Sequence, residues 1–144
     1  GQLWLLRMAD SEQLLNGITA LIHPGLYSAG TSAMSKLPKH LPLAKSAPWP
    51  SVFSGLEVIV NRDTPAHRDS GGAASFYDLL VSLGQKHLAV LKIPDLDAEL
   101  SYGPGTVVAL TGKVLLHEVS SWPGGERYCL AHFMRDSVLN RLGV

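Results

Sequence analysis

A chain of 144 residues with twelve basic and twelve acidic side chains carries no formal net charge, and at that length one core can bury roughly two thirds of the surface exposed by the unfolded chain. Residues 1–60 hold four of the basic and three of the acidic residues, leaving eight and nine for the rest, so neither part is the basic body that nonspecific phosphate binding requires. The single Cys129 excludes an internal disulfide and a cysteine zinc site, which favours a reducing, intracellular compartment, and the longest apolar runs fall well short of a membrane span.

The chain opens on Gly1-Gln2-Leu3-Trp4 without an initiator Met, so its native start is expected elsewhere. From Ser11, the residues Leu14, Leu15, Ile18, Leu21 and Ile22 recur at helical spacing. They predict a helix of about three turns with this stripe buried and Ser11 as its cap. His23-Pro24-Gly25 ends it, because proline restricts the residue before it and removes a donor. A second, weakly patterned helix is expected over residues 29–37. Pro38, Pro42, Pro48 and Pro50 then make an extended connector, which Trp49 should pin against the body. The expected organisation is one domain: residues 1–50 as a helical segment and connector packed on a core formed by residues 51–144.

From Val52 the texture changes to short β-rich runs separated by turn signals. Strands are expected at Leu56–Asn61, Ala66–Asp69, Ala74–Leu80, His87–Ile93, Ala98–Tyr102, Thr106–Thr111, Val114–Val119 and Arg127–Met134. Eight strands fit a double-stranded β-helix (jelly roll, cupin-like) behind N-terminal helices, a mainly β, α+β fold in which facing sheets solve the edge problem. A short closing helix is expected over residues 134–142.

Within that frame, His67 and Asp69 lie two residues apart and point to the same side of a strand. An inward His117 would complete the two-histidine, one-carboxylate set of a non-haem Fe(II) site, which leaves the opposite metal face open. Ten positions later, Arg127 begins a strand whose same-face residues are Cys129, Ala131 and Phe133. A guanidinium entering an apolar barrel needs a partner, and a carboxylate matches its planar fork, so a dicarboxylate would satisfy it. The bland alternatives are a loop histidine bonded to a nearby carboxylate, a core histidine and a surface arginine. Arg68 should form a surface salt bridge with Asp63 or a similar acid, and His87 and His132 should be structural. Asn61 and Tyr77 line the pocket or complete strand packing. Phe76, Tyr77 and Trp122 form either a stacking platform for a base or ordinary core.

These residues resemble the Fe(II)/2-oxoglutarate-dependent dioxygenases over about residues 50–137. More narrowly, Asn61-Arg62-Asp63-Thr64-Pro65-Ala66-His67-Arg68-Asp69, Phe76-Tyr77-Asp78-Leu79-Leu80 and Tyr128-Cys129-Leu130-Ala131-His132-Phe133-Met134-Arg135-Asp136 resemble the fungal branch of the TET/JBP oxygenases. The resemblance implies Fe(II) held by His67, Asp69 and His117. It implies 2-oxoglutarate chelating that iron with its distal carboxylate on Arg127, and O2 as the oxidant. The implied reaction oxidises a C–H bond, such as the methyl group of 5-methylcytosine in DNA, with the base flipped out to reach the iron. A nuclear location would follow. Cys129 stands where relatives often carry a serine that also touches the cosubstrate, and Ser70-Gly71-Gly72 lacks the asparagine that helps hold the base in animal TET enzymes. The alternatives are a 2-oxoglutarate-dependent hydroxylase of a protein side chain or small molecule, and a non-catalytic cupin-like binding module.

Overall fold

Leu3, Trp4, Leu5, Leu6, Met8 and Ala9 form a run with no helix breaker. Accordingly, in the computed structural model, which describes residues 1–40 and 49–144, the first helix starts well before Ser11. Helix α1 spans Gln2–Ile22 and stops at His23, and α2 follows at once over Pro24–His40, with Pro38 inside it. Ser11 is therefore an interior residue and not a cap. The buried face of α1 is Glu12, Leu15 and Thr19, whereas Leu14 and Leu21 are 67% and 84% exposed. The expected stripe was misplaced by part of a turn, because leucine scatter over the whole helix hides which side has a neighbour.

Helices α1, α2 and α3 (Asp136–Leu142) belong to one compact unit, Gly1–Ser54 with Met134–Val144. Leu15, Leu26, Ala33, Val52, Phe53 and Leu139 are among its buried apolar residues. Asn16 ties α1 to the segment after the prolines: its amide donates to Pro50 O at 2.9 Å and its Oδ1 accepts Val52 N–H at 3.0 Å. Half-buried Trp49 donates its indole N–H to Phe53 O at 2.7 Å, which pins this end of the connector. Pro42 and Pro48 lie outside the described residues.

The second unit, Gly55–Phe133, holds eight strands: β1 (Gly55–Val60), β2 (Thr64–His67), β3 (Asp78–Gly84), β4 (Val90–Ile93), β5 (Ala98–Ser101), β6 (Val107–Leu110), β7 (His117–Val119) and β8 (Arg127–Phe133). They form two antiparallel sheets, ordered β1-β8-β3-β6 and β2-β7-β4-β5. Leu80, Leu110 and Cys129 of the first sheet meet Leu91, Ile93 and Val119 of the second in one core, with Ala89 and Tyr102. The largest shift from expectation is β3, which begins at Asp78 and runs through Leu83 to Gly84. Its buried Ser82 masked the apolar run; the hydroxyl donates to Tyr102 O at 2.9 Å, so a polar group sits in the core with its bond made.

Candidate active site

Strands β2 and β7 are both short, and their ladder pairs Thr64↔Val119 and His67↔His117, with an irregularity between them. The second pair places the two imidazoles side by side, with ring centroids 4.3 Å apart. Asp69 lies just beyond the end of β2, where its N–H donates to Gly112 O at 2.9 Å. Its carboxylate then reaches both rings: Oδ1 is 3.3 Å from His67 Nε2 and Oδ2 is 3.7 Å from His117 Nε2. Among the described residues these three offer ligand atoms all within 4.8 Å of one another.

The tautomers follow from the backbone. Nδ1 of His67 lies 2.8 Å from Pro65 O, and Nδ1 of His117 lies 3.0 Å from Leu115 O. A carbonyl oxygen can only accept, so both Nδ1 atoms carry a proton, which leaves Nε2 of each ring, on the carboxylate side, as the atom that can bind a metal. Imidazoles held in this way are preset as metal ligands. His117 is nearly buried at 5% side-chain exposure, while His67 and Asp69 are 39% and 41% exposed. One candidate ligand is thus buried and the other two form an open lip. The donor set, two imidazoles and one carboxylate, fits Fe(II).

Two neighbours of Asp69 carried no signal in the sequence. A side chain at Gly112 would run into the carboxylates of both Asp69 and Asp78. Gly112→Ala is therefore expected to displace Asp69 and weaken divalent-metal binding at least about tenfold while the thermal midpoint changes little, as calorimetric titration and melting would check. Asp78 is raised from the ordinary carboxylate range to about 7, chiefly by burial and then by the charge of Asp69, with the Gly112 N–H opposing. The native metal-free protein therefore keeps a proton that the unfolded chain loses near pH 4. Its stability should fall as pH rises from about 4 to 7. Asp78→Asn should remove that slope and stabilise the metal-free protein at pH 8 by on the order of 2 to 4 kcal/mol, read from urea unfolding. An unchanged slope would count against it.

Arg127, at the start of β8, is 1% exposed, and its Nε and Nη1 meet no hydrogen-bond acceptor. Its guanidinium carbon lies 5.2 Å from the Tyr102 ring centroid and 5.3 Å from that of Trp122. Trp122 therefore serves the arginine. Its loop sits close against the β3–β4 connection, with Gly125 so near Gln85 O that a side chain would not fit. Asn61, with φ of 45°, clamps the arginine backbone: its Oδ1 accepts Arg127 N–H at 2.8 Å and its N–H donates to Arg127 O at 2.9 Å. Cys129 is buried on the same face of β8, with Sγ 3.4 Å from the Tyr102 hydroxyl. Burial holds both the thiol and the phenol above their usual ranges, so both keep their protons. A buried cation with two idle donors is costly unless an anion completes it, and an incoming carboxylate fits that requirement.

The other candidates fall outside this cluster. His87 is buried with Nε2 3.1 Å from Leu83 O, and His132 is buried with Nδ1 3.3 Å from Leu79 O, both as expected of structural histidines. Arg68 pairs with Asp95 at 2.8 Å, not Asp63.

The family model Tet_JBP, the oxygenase domain of the 2OGFeDO superfamily, matches residues 5–136. Among solved structures, NgTET1 in complex with 5mC DNA superposes with a TM-score of 0.66 at 14% sequence identity, over 90% of this chain and 49% of that one. At that identity the likeness is one of fold, the double-stranded β-helix, and the chain spans about half the length of its neighbour. No curated protein sequence matches the chain.

Proposed function

The chain belongs to the Tet_JBP family, the oxygenase domain of the 2OGFeDO superfamily, and from that premise we propose that it is a dioxygenase that uses Fe(II), 2-oxoglutarate and O2 to oxidise the methyl group of a modified nucleobase in DNA. The observation that carries the reading is the buried Arg127 with two idle guanidinium donors, in the same β unit as the His67, Asp69 and His117 cluster. A metal centre alone is compatible with many activities, whereas a carboxylate anchor in the same unit favours this chemistry.

Bound together, iron and 2-oxoglutarate supply the oxidising power, because O2 splits the cosubstrate to succinate and carbon dioxide and delivers its second oxygen atom to a substrate C–H bond. The chain positions and shields. His67 and His117 turn Nε2 to the cluster because their Nδ1 protons are held by backbone carbonyls. Asp69 offers two oxygens from the lip. Arg127 fixes the distal carboxylate, while Tyr102 and Trp122 keep water from its guanidinium. The half-exposed lip is open to solvent, from which a flipped base would approach, and a fold neighbour in complex with 5mC DNA makes 5-methylcytosine the first substrate to try.

The test is incubation with Fe(II), ascorbate and 2-oxoglutarate, with and without a duplex oligonucleotide carrying 5-methylcytosine, followed by succinate assay and mass spectrometry of the bases. DNA-dependent succinate and an oxidised methyl group are expected. Absence of succinate from fully metallated protein would sink the enzyme. Turnover on a protein or small molecule with intact 5-methylcytosine would sink the nucleobase.

A further inference from the structure

The ladder that brings His67 and His117 together is too short and irregular to fix ligand spacing by itself. Something else must hold the segment after β2 against the segment before β7. The structure has such a connection in Asp95, on the 3-10 turn Pro94–Leu96 that follows β4. Its Oδ2 accepts the Leu116 N–H at 2.7 Å and the Arg68 guanidinium at 2.8 Å. Arg68 Nε also donates to Val114 O at 2.8 Å. Arg68 sits between the ligands His67 and Asp69, and Leu116 immediately precedes His117. One carboxylate oxygen therefore joins the two stretches that carry all three candidate ligands.

We propose that Asp95 is a positioning residue for the metal centre, a carboxylate clasp that sets the distance between the His67–Asp69 segment and His117. The inference rests on the reading of these three side chains as metal ligands. An ordinary exposed ion pair would be worth little, since water screens it and two side chains lose freedom. Here the same oxygen also takes a backbone N–H, and its partners lie 27 and 21 residues away in sequence. The turn itself follows the buried Ile93, so the carboxylate projects from an anchored strand. Just past the end of β2, Arg68 directs its guanidinium to Asp95 and Val114 O while its two neighbours reach the cluster. Groups that orient metal ligands in this way are commonly worth a factor of about 10 to 100 in metal affinity.

The test is binding of Co(II) and Fe(II) to wild type, Asp95→Ala, Asp95→Asn and Arg68→Ala, by calorimetry and by the visible spectrum of the Co(II) form, alongside melting of each metal-free protein. Asp95→Ala should bind about 10- to 100-fold more weakly and show an altered Co(II) spectrum, with a midpoint close to wild type. Asp95→Asn keeps an acceptor for Leu116 N–H and should recover part of the affinity. It also serves where the alanine variant does not fold. Wild-type affinity and spectrum in both Asp95 variants would overturn the clasp while leaving the metal centre standing. Failure of the wild type to bind either ion would overturn both.

Discussion

Arg127→Met is expected to abolish measurable 2-oxoglutarate binding, by about a hundredfold or more, without unfolding the protein. The loss follows from removing a two-pronged, charge-assisted contact, each prong of which is worth about 1.5 to 3 kcal/mol. The expected gain in stability is less intuitive. In the cosubstrate-free protein this guanidinium is buried with Nε and Nη1 unpartnered, so the native state carries an uncompensated desolvation cost. Methionine fills much of the same volume between Tyr102 and Trp122 with no charge to solvate. The metal-free, cosubstrate-free variant should therefore melt at or above the wild-type temperature and still bind metal. Calorimetric titration with 2-oxoglutarate under Mn(II), together with thermal melting, separates the two effects. A variant that loses metal as well as 2-oxoglutarate, or one that melts much lower, would show that Arg127 holds the fold and not the cosubstrate.

His117→Ala should have the second large effect. His117 is the buried member of the cluster, and removing it leaves a two-ligand lip exposed to water. Loss of a group that merely orients a ligand costs about 10- to 100-fold in metal affinity, so loss of the ligand itself should exceed a hundredfold. The accompanying cavity should cost on the order of 1 to 2 kcal/mol of stability. His132→Ala is the control, because His132 is equally buried yet bonded to Leu79 O on β3. It should lower stability by about 1 to 3 kcal/mol and leave metal affinity unchanged. Similar metal loss in both variants would mean that the effect is structural.

Much of the β unit was legible in the sequence because its signals are local. Gly and Pro turns at 103–105, 111–113 and 122–125 interrupt short β-rich runs, and each run contains a strand. The exceptions have particular causes. Val114–Leu116 reads as strand by composition, yet only His117–Val119 pairs, because Arg68 and Asp95 take the preceding backbone groups. Asp69 reads as the end of a strand, yet its N–H goes to Gly112, and this turns it into the cluster from a loop. In α1 the spacing of leucines suggested a helix but could not say which side would be covered, since that depends on α2 and the segment around Val52.

The candidate ligand types, their two-residue offset and the lone arginine at the head of β8 were all legible in the sequence itself, since residue chemistry and spacing need no partner to be read. Tertiary structure decided which distant groups meet: His67 beside His117, Asp95 between Arg68 and Leu116, Gly112 beneath Asp69 and Asp78. Those meetings depend on sheet order and register across dozens of residues, and a buried cation becomes a binding site only once the fold has removed water and left its donors idle.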